Sequence, residues 1–362
     1  MNGKERICTA LELREADCVP LYIHGINEAP IVGIGKQLTD GLPETRDFRL
    51  MDERDKFKLV DTLFLIHEHF DIDGMTCFEI NHEEKVDKLH VRDGFGVVYK
   101  LSEHGIPVPV GHPVKNHAEL INFTPPVPWR EDLGLLDMAV ERFKGQKATF
   151  WLMRGVFVRS WRLIGMTNYL TCLYADPEFI HALAQMMLEF SLAQIDLLVD
   201  AGLDILVIED DIAMDKGPMV SLEHFKEFIS HYNRQIVEQA HQKGLKVVRH
   251  SDGNLWPLMD VLIESGYDGI NPLEPQAGMA VKELKAKYGD SICLIGNIDS
   301  VDLLPGGTRE EVEEAVVQTI KDGAAGGGLI ISSSNSLHPG VNPDNCIAMF
   351  QAVRKHGYYS KP

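Results

Sequence analysis

The 362 residues include 54 acidic and 35 basic side chains, a formal charge of −19, with 44% hydrophobic and 25% charged residues. Such an acidic balance argues against nucleic acid and anionic membranes as partners, while the apolar fraction suffices for a large buried core. Six cysteines with no CxxC pair fit reduced thiols, the charged start MNGKERICTALELREADCVP lacks an apolar signal core, and no window reads as a membrane span, so the expected location is the cytoplasm.

In chain order, the part up to about residue 145 is irregular. KFKLVDTLFLIHEHF has the pattern of a helix, HVRDGFGVVYKLS and its neighbours read as short strands and turns, and the Pro-rich INFTPPVPW reads as a loop. From residue 147 short apolar runs alternate with longer amphipathic ones. KATFWLM predicts a strand, and the run starting at DPEFIHALAQ predicts a helix with Asp176 as its cap and Pro177 in its first turn. Strand LDILVI precedes a helix capped by Ser221; strand LKVVR precedes LWPLMDVLIESG; YDGI precedes AVKELKAKYG. Strand SICLI then leads to a helix capped by Thr308, and strand GLIIS to the closing helix NPDNCIAMFQAVRKHG. Strands too uniformly apolar to alternate, each followed by a helix, predict a parallel sheet buried on both faces. The expectation is an α/β protein, a distorted (β/α)8 TIM barrel with an elaborated N-terminal segment. It forms a single domain over 1–362, with the elaboration in 1–145 and the main βα repeats in 146–362. No G-x-G-x-x-G follows a first strand, which disfavours a dinucleotide fold.

In a barrel, polar residues just past the strands share one mouth. Here they are Arg154; Glu209, Asp210 and Asp211; His250 and Asp252; Asn271 and Glu274; Asn297 and Asp299; and Ser333, Ser334 and Asn335. Each has a plainer explanation. IEDDIA could be a solvated acidic loop, HSDG an Asx-type turn, and Arg154 a partner for the acidic loop. The aromatic-rich FVRSWRLIGMTNYL, including Trp161, could be core or the wall of an aromatic pocket. The recurrence at strand after strand is what points to an enzyme. Crowded carboxylates in a dry mouth would raise at least one pKa, as a general acid requires.

Taken together, HSDGN, LIESGYDGINPLEPQAGM, LKAKYGDSICLIGNID, LLPGGTREEVEEAV and GGGLIISSSNSLHPGVNPDN resemble the uroporphyrinogen decarboxylase superfamily, over roughly residues 145 to 360. The resemblance implies a distorted barrel and one of two chemistries, tetrapyrrole decarboxylation or methyl transfer involving corrinoid proteins. The decarboxylases carry an arginine-containing segment for substrate carboxylates. The corresponding VPLYIHGINEAP here has no arginine, which turns the reading towards the methyltransferase branch. That branch holds zinc through His-x-Cys and a later Cys. In this chain those positions fall on His250, Asp252 and Asn335, and Glu274 matches a further glutamate ligand of the related methionine synthases.

The resemblance therefore implies a metal site of His250, Asp252 and Glu274, with zinc as the ion, biased towards oxygen ligands rather than thiolates. It implies Asp210, Asp252 and Glu209 as catalytic groups, and Arg154, Trp161, Asn297 and Asn335 as substrate-binding groups. The expected reaction moves a methyl group from a small-molecule donor, a methoxylated aromatic, to the Co(I) corrinoid of a partner protein. The alternative is a uroporphyrinogen-type decarboxylase.

Overall fold

A computed structural model describes residues 1–79, 83–101 and 107–359. Its centre is a parallel sheet of seven strands: β1 (Gly74–Phe78), β2 (Ala148–Arg154), β3 (Ile205–Glu209), β4 (Lys246–His250), β5 (Gly269–Asn271), β6 (Cys293–Ile298) and β7 (Leu329–Ser333), paired in that order. Residues 20–24 bring the two edges together. Tyr22 N–H donates to the Ile331 carbonyl and Ile331 N–H to the Pro20 carbonyl, each at 2.9 Å. On the other side Asp73 N–H donates to the Leu21 carbonyl, also at 2.9 Å. These parallel bridges, Leu21 to Ile331 and Tyr22 to Gly74, fill the eighth position of a distorted (β/α)8 barrel, as the strand pattern predicts.

The six strands expected after residue 147 form where their apolar runs lie, and the expected caps are in place. Asp176 accepts from Phe179 N–H at 3.2 Å, Ser221 from His224 N–H at 3.1 Å, and Thr308 forms a capping box with Glu311. Two barrel segments escaped the pattern: β1, and residues 20–24. Both are short, lie outside the regular βα rhythm and are recognisable only by what they pair with.

Side chains of a strand alternate between its two faces, and that parity organises the interior. Tyr22, Phe150, Val207, Val248, Ile295 and Ile330 form an inner cluster, joined by Ile7 and Leu11 of the helix Gly3–Leu11, which plugs the lower end. Residues of opposite parity, such as Trp151, Leu206, Ile208 and Val247, pack outward against the surrounding helices. A four-stranded antiparallel sheet within residues 84–111, which includes the strands expected in HVRDGFGVVYKLS apart from Ser102 outside the described residues, roofs the upper end. It is anchored by Phe95 meeting Phe190 edge-on at 4.9 Å.

One sequence expectation needs correction. The helix Pro177–Asp200 reaches the length and hydropathy of a membrane span, with a mean of 1.4 over its most apolar window. Half of that window is buried in the fold, where the helix packs against Val156–Ile164 and His231–Gln242, so its apolarity is that of a core helix.

Tyr22 is fully buried, stacks on Phe150 at 4.0 Å between ring centroids and bonds Thr76 Oγ1 through its hydroxyl at 2.8 Å. Replacing it with alanine removes a large core side chain at the seam of the barrel. Tyr22→Ala should lower the unfolding free energy in urea by about 4 kcal/mol.

Candidate active site

Strand parity delivers four ionisable side chains to the mouth. Arg154 and Glu209 continue the inner rows of Phe150 and Val207, His250 that of Val248, and His24 that of Tyr22. His250 is buried, and its ring stacks on His24 at 3.8 Å between centroids and 6° between planes. Its Nδ1 meets Asn271 Oδ1 at 2.7 Å, so Nδ1 carries the proton and Nε2 faces the mouth. There Nε2 lies 3.6 Å from Asp252 Oδ1 and 3.8 Å from Asp211 Oδ1. One donor atom each from Asp211, His250 and Asp252 falls within 4.8 Å of the others.

The turn after β4 sets this geometry. Gly253 has φ +84°, and a Cβ there would come within 2.7 Å of the Ala213 carbonyl oxygen, so only glycine lets the turn lie this close to the chain beside it. The Gly253 N–H donates to Glu274 Oε2 at 2.7 Å and the Asp252 N–H to Asp211 Oδ1 at 3.2 Å. Asn335, from beyond β7, donates its amide to Asp252 Oδ2 at 2.9 Å. Asp252 Oδ1 is buried with no hydrogen-bond partner.

The electrostatics follow from these contacts. Burial and then the charges of Asp211 and Glu274 push the Asp252 carboxyl up to about 7, against the pull of His250 and Asn335. Burial lowers His250, but Asp252, Asp211 and Glu209 more than offset it and raise its pKa. Burial and the neighbouring His250 hold His24 well below the usual histidine range, so it stacks as a neutral ring. Burial would raise Glu209, yet Arg154, His250, His24 and Arg162 bring it down to about 2.

The expected site residues thus divide. Glu209, His250, Asp252, Asn335 and Arg154 converge, with Arg154 Nη1 3.7 Å from Glu209 Oε1. Glu274 stands beside the group as acceptor for the Gly253 N–H, and the third donor beside His250 and Asp252 is Asp211. Asp210 has the opposite parity to Glu209. Fully buried behind the sheet, it accepts from Val158 N–H at 2.7 Å and Asn233 Nδ2 at 2.8 Å, and pairs with the equally buried Arg249 at 3.3 Å. That environment gives it a structural part. Asn297 meets the Met279 carbonyl and Thr319 Oγ1 on the helix side, and Trp161 packs half-buried beside Arg162. His24 was not singled out by the sequence reading. Its signal was period-two alternation in LYIH, legible once that stretch is known to be a strand.

Beneath the antiparallel roof lies a cavity of about 150 Å³, lined among others by Arg154, Arg162, Tyr99, Phe95 and Glu209. Glu209 joins this cavity to the histidine pair.

A parallel barrel with its ionisable side chains collected at the carboxyl ends of the strands has the layout of TIM-barrel enzymes. The chain belongs to the uroporphyrinogen decarboxylase (URO-D) family, whose model matches residues 61–356. It is 25% identical to a uroporphyrinogen decarboxylase of Thioalkalivibrio sulfidiphilus, over 58% of this chain and 56% of that protein. It is 24% identical to a methylated-thiol--coenzyme M methyltransferase of Methanosarcina mazei, over 62% of this chain and 57% of that one. The chain thus spans little more than half the length of these two curated relatives. Its fold superposes on a solved methyltransferase from Methanosarcina mazei with a TM-score of 0.76 at 16% identity, covering 98% of this chain and 99% of that one.

A carboxyl whose pKa is raised in the folded state adds stability below its unfolded value of 3.8, and loses that contribution as pH rises through about 7. In chelator-treated protein, Asp252→Asn should therefore be more stable than the parent at pH 8. The gain is on the order of 1 kcal/mol, because the Asp252 side chain is 37% exposed and partly screened, and it should shrink towards zero as pH falls to 4, measured by urea denaturation.

Proposed function

We propose that the protein is a methyltransferase that takes a methyl group from a small O-methyl donor, a methoxylated aromatic, and passes it to the reduced corrinoid of a partner protein. The observation that carries this reading is the all-oxygen-and-nitrogen group Asp211, His250 and Asp252 at the mouth of a barrel of this family. A thiol-activating zinc site is built on sulfur ligands; a harder set suits oxygen at the reacting centre.

The residues fit a divalent cation. Among the described residues Asp252 Oδ1 is a buried oxygen with no hydrogen-bond partner, His250 turns its Nε2 to the mouth, and Asp211 adds a second carboxylate at the same place. Asp211, His250 and Asp252 would hold zinc, which when bound supplies Lewis acidity towards the ether oxygen. The chain's own groups do the rest. Asn271 fixes the tautomer of His250, Asn335 and the Gly253 turn fix Asp252, and the stacked His24 keeps the imidazole from rotating. As the methyl group passes to the reduced corrinoid, the electron pair of the O–CH3 bond stays on oxygen, where a bound cation or, with no cation bound, the proton of the Asp252 carboxyl would neutralise it. Glu209 and Arg154 border the path from the cavity.

Uroporphyrinogen-type decarboxylation is the second reading, favoured by the name of the Thioalkalivibrio relative. Against it stand the segment 19–30 without arginine and the Asp211, Asp252 and Glu274 carboxylates, an anionic wall for a polyacid substrate.

Mixing the protein with a reduced corrinoid protein and a panel of methoxylated aromatics should convert the cobalt spectrum to that of the methylated form, and His250→Ala should slow this by about 100-fold or more. Absence of transfer from every ether, with carbon dioxide released from uroporphyrinogen, would select the second reading. Elemental analysis tests the ion separately. Zinc should co-purify with the parent and with Glu274→Gln, and be lost from His250→Ala and Asp211→Asn.

A further inference from the structure

The cavity under the roof contains a charge that its own walls do not neutralise. Its arginines and carboxylates are equal in number on paper: Arg49, Arg154, Arg159 and Arg162 against Glu79, Glu83, Asp93 and Glu209. They are not equally engaged. Arg49 pairs with Glu83 at 2.8 Å, and Arg159 reaches Glu79 at 3.5 Å while lying over the rings of Phe95 and Phe190. Asp93 accepts from Val97 N–H at 2.9 Å and from the Tyr99 hydroxyl at 3.1 Å. Among the described residues, what remains is Arg154 and Arg162 facing one carboxylate, Glu209, which is 3.7 Å from Arg154 and shared with the two histidines.

Arg162 is the outstanding group. Among the described residues it has no carboxylate within ion-pair distance, and its Nε is buried with no hydrogen-bond partner. Its guanidinium lies over the Tyr99 and Trp161 rings, at 5.9 and 5.6 Å from their centroids. A half-buried guanidinium without a close counter-charge is costly, and a fork of N–H donors beside a second arginine suits a planar carboxylate. Tyr99 and Phe95 present apolar ring surface in the same cavity, whose volume of about 150 Å³ suits one small ring rather than a macrocycle.

We infer that this cavity binds the carboxylate of a small aromatic acid, held by Arg162 and Arg154, with the ring against Tyr99 and Phe95. The inference rests on the proposed function and narrows it: the methyl donor is a methoxylated aromatic acid, oriented so that its far end passes Glu209 towards His250. Arg162 and Arg154 select the anion and take no part in bond cleavage.

The test is binding, independent of turnover. Benzoate and its neutral counterpart benzamide are titrated by calorimetry into the parent, Arg162→Met and Arg154→Gln, with thermal unfolding run alongside. Benzoate should bind saturably, at least about tenfold more tightly than benzamide, and each substitution should weaken benzoate by about tenfold while leaving benzamide unchanged, as expected for one charge-assisted pair. Arg154, whose side chain is 34% exposed, keeps the test open should Arg162→Met fail to fold. Equal binding of acid and amide, or benzoate binding untouched in a folded variant, would overturn the inference. The two readings separate cleanly. Benzoate binding that tracks these arginines without methyl transfer from any ether sinks the proposed reaction and leaves the anion site. Transfer from neutral ethers with no preference for the acid does the reverse.

Discussion

The closure of the sheet by residues 20–24 is the constraint on which the rest depends. Seven strands alone would leave β1 and β7 with open edges and the inner row exposed between them. The hydrogen bonds of Leu21 and Tyr22 to Asp73 and Ile331 close that gap, and in doing so fix the parity of the segment. Tyr22 then faces inward on Phe150, and two residues further on His24 must face inward as well, directly on His250. The same hydrogen-bond ladder that completes the core therefore builds one wall of the site.

Like charges, held together by the turns above the strands, give the mouth its chemical character. Asp211, Asp252 and Glu274 come from three different loops and are brought close by backbone donors, Asp252 N–H to Asp211 and Gly253 N–H to Glu274. Their mutual repulsion is relieved by the cation of His250, by a proton on Asp252, or by a metal ion, and each of these is a device for stabilising charge at an oxygen atom. On the far side of Glu209, among the described residues, Arg154 and Arg162 face that one carboxylate while the other arginines of the cavity have partners of their own. A substrate spanning the two regions would meet positive charge at one end and the acidic, histidine-bearing group at the other. The antiparallel roof covers the arginine-bearing cavity, and Arg159, over the rings of Phe95 and Phe190, ties it to the helical layer.

The βα rhythm after residue 147 was legible because each strand is a continuous apolar run and several of the helices start at a side-chain cap, as at Asp176, Ser221 and Thr308, signals that depend only on near neighbours. Gly74–Phe78 and residues 20–24 were not, since a short strand with no repeat beside it has no local signature. The candidate site was legible in part for the same reason. His250, Asp252, Glu209 and Asn335 lie at or just past strand ends and could be read off. Which of Asp210 and Asp211 meets His250 is not legible in the sequence, because adjacent residues at the end of a strand point to opposite faces. Asp210 goes to Arg249 and Asn233 behind the sheet, while Asp211, just past the strand, reaches His250. Glu274 fell short of the metal group because the Gly253 N–H takes its carboxylate, a contact between loops that no spacing reveals.

From its sequence alone this chain is determined to be a parallel barrel, a member of its family and the bearer of polar groups at its strand ends, because periodicity, caps and motif order are properties of neighbouring residues. Only the tertiary structure decided which of those groups meet. His24 stacks on His250 across more than two hundred residues, Asp211 rather than Glu274 comes beside His250 and Asp252, and among the described residues Arg162 has no carboxylate within ion-pair distance. Each of these follows from the closing of the ring and the placing of the roof, which bring together side chains that no local pattern relates.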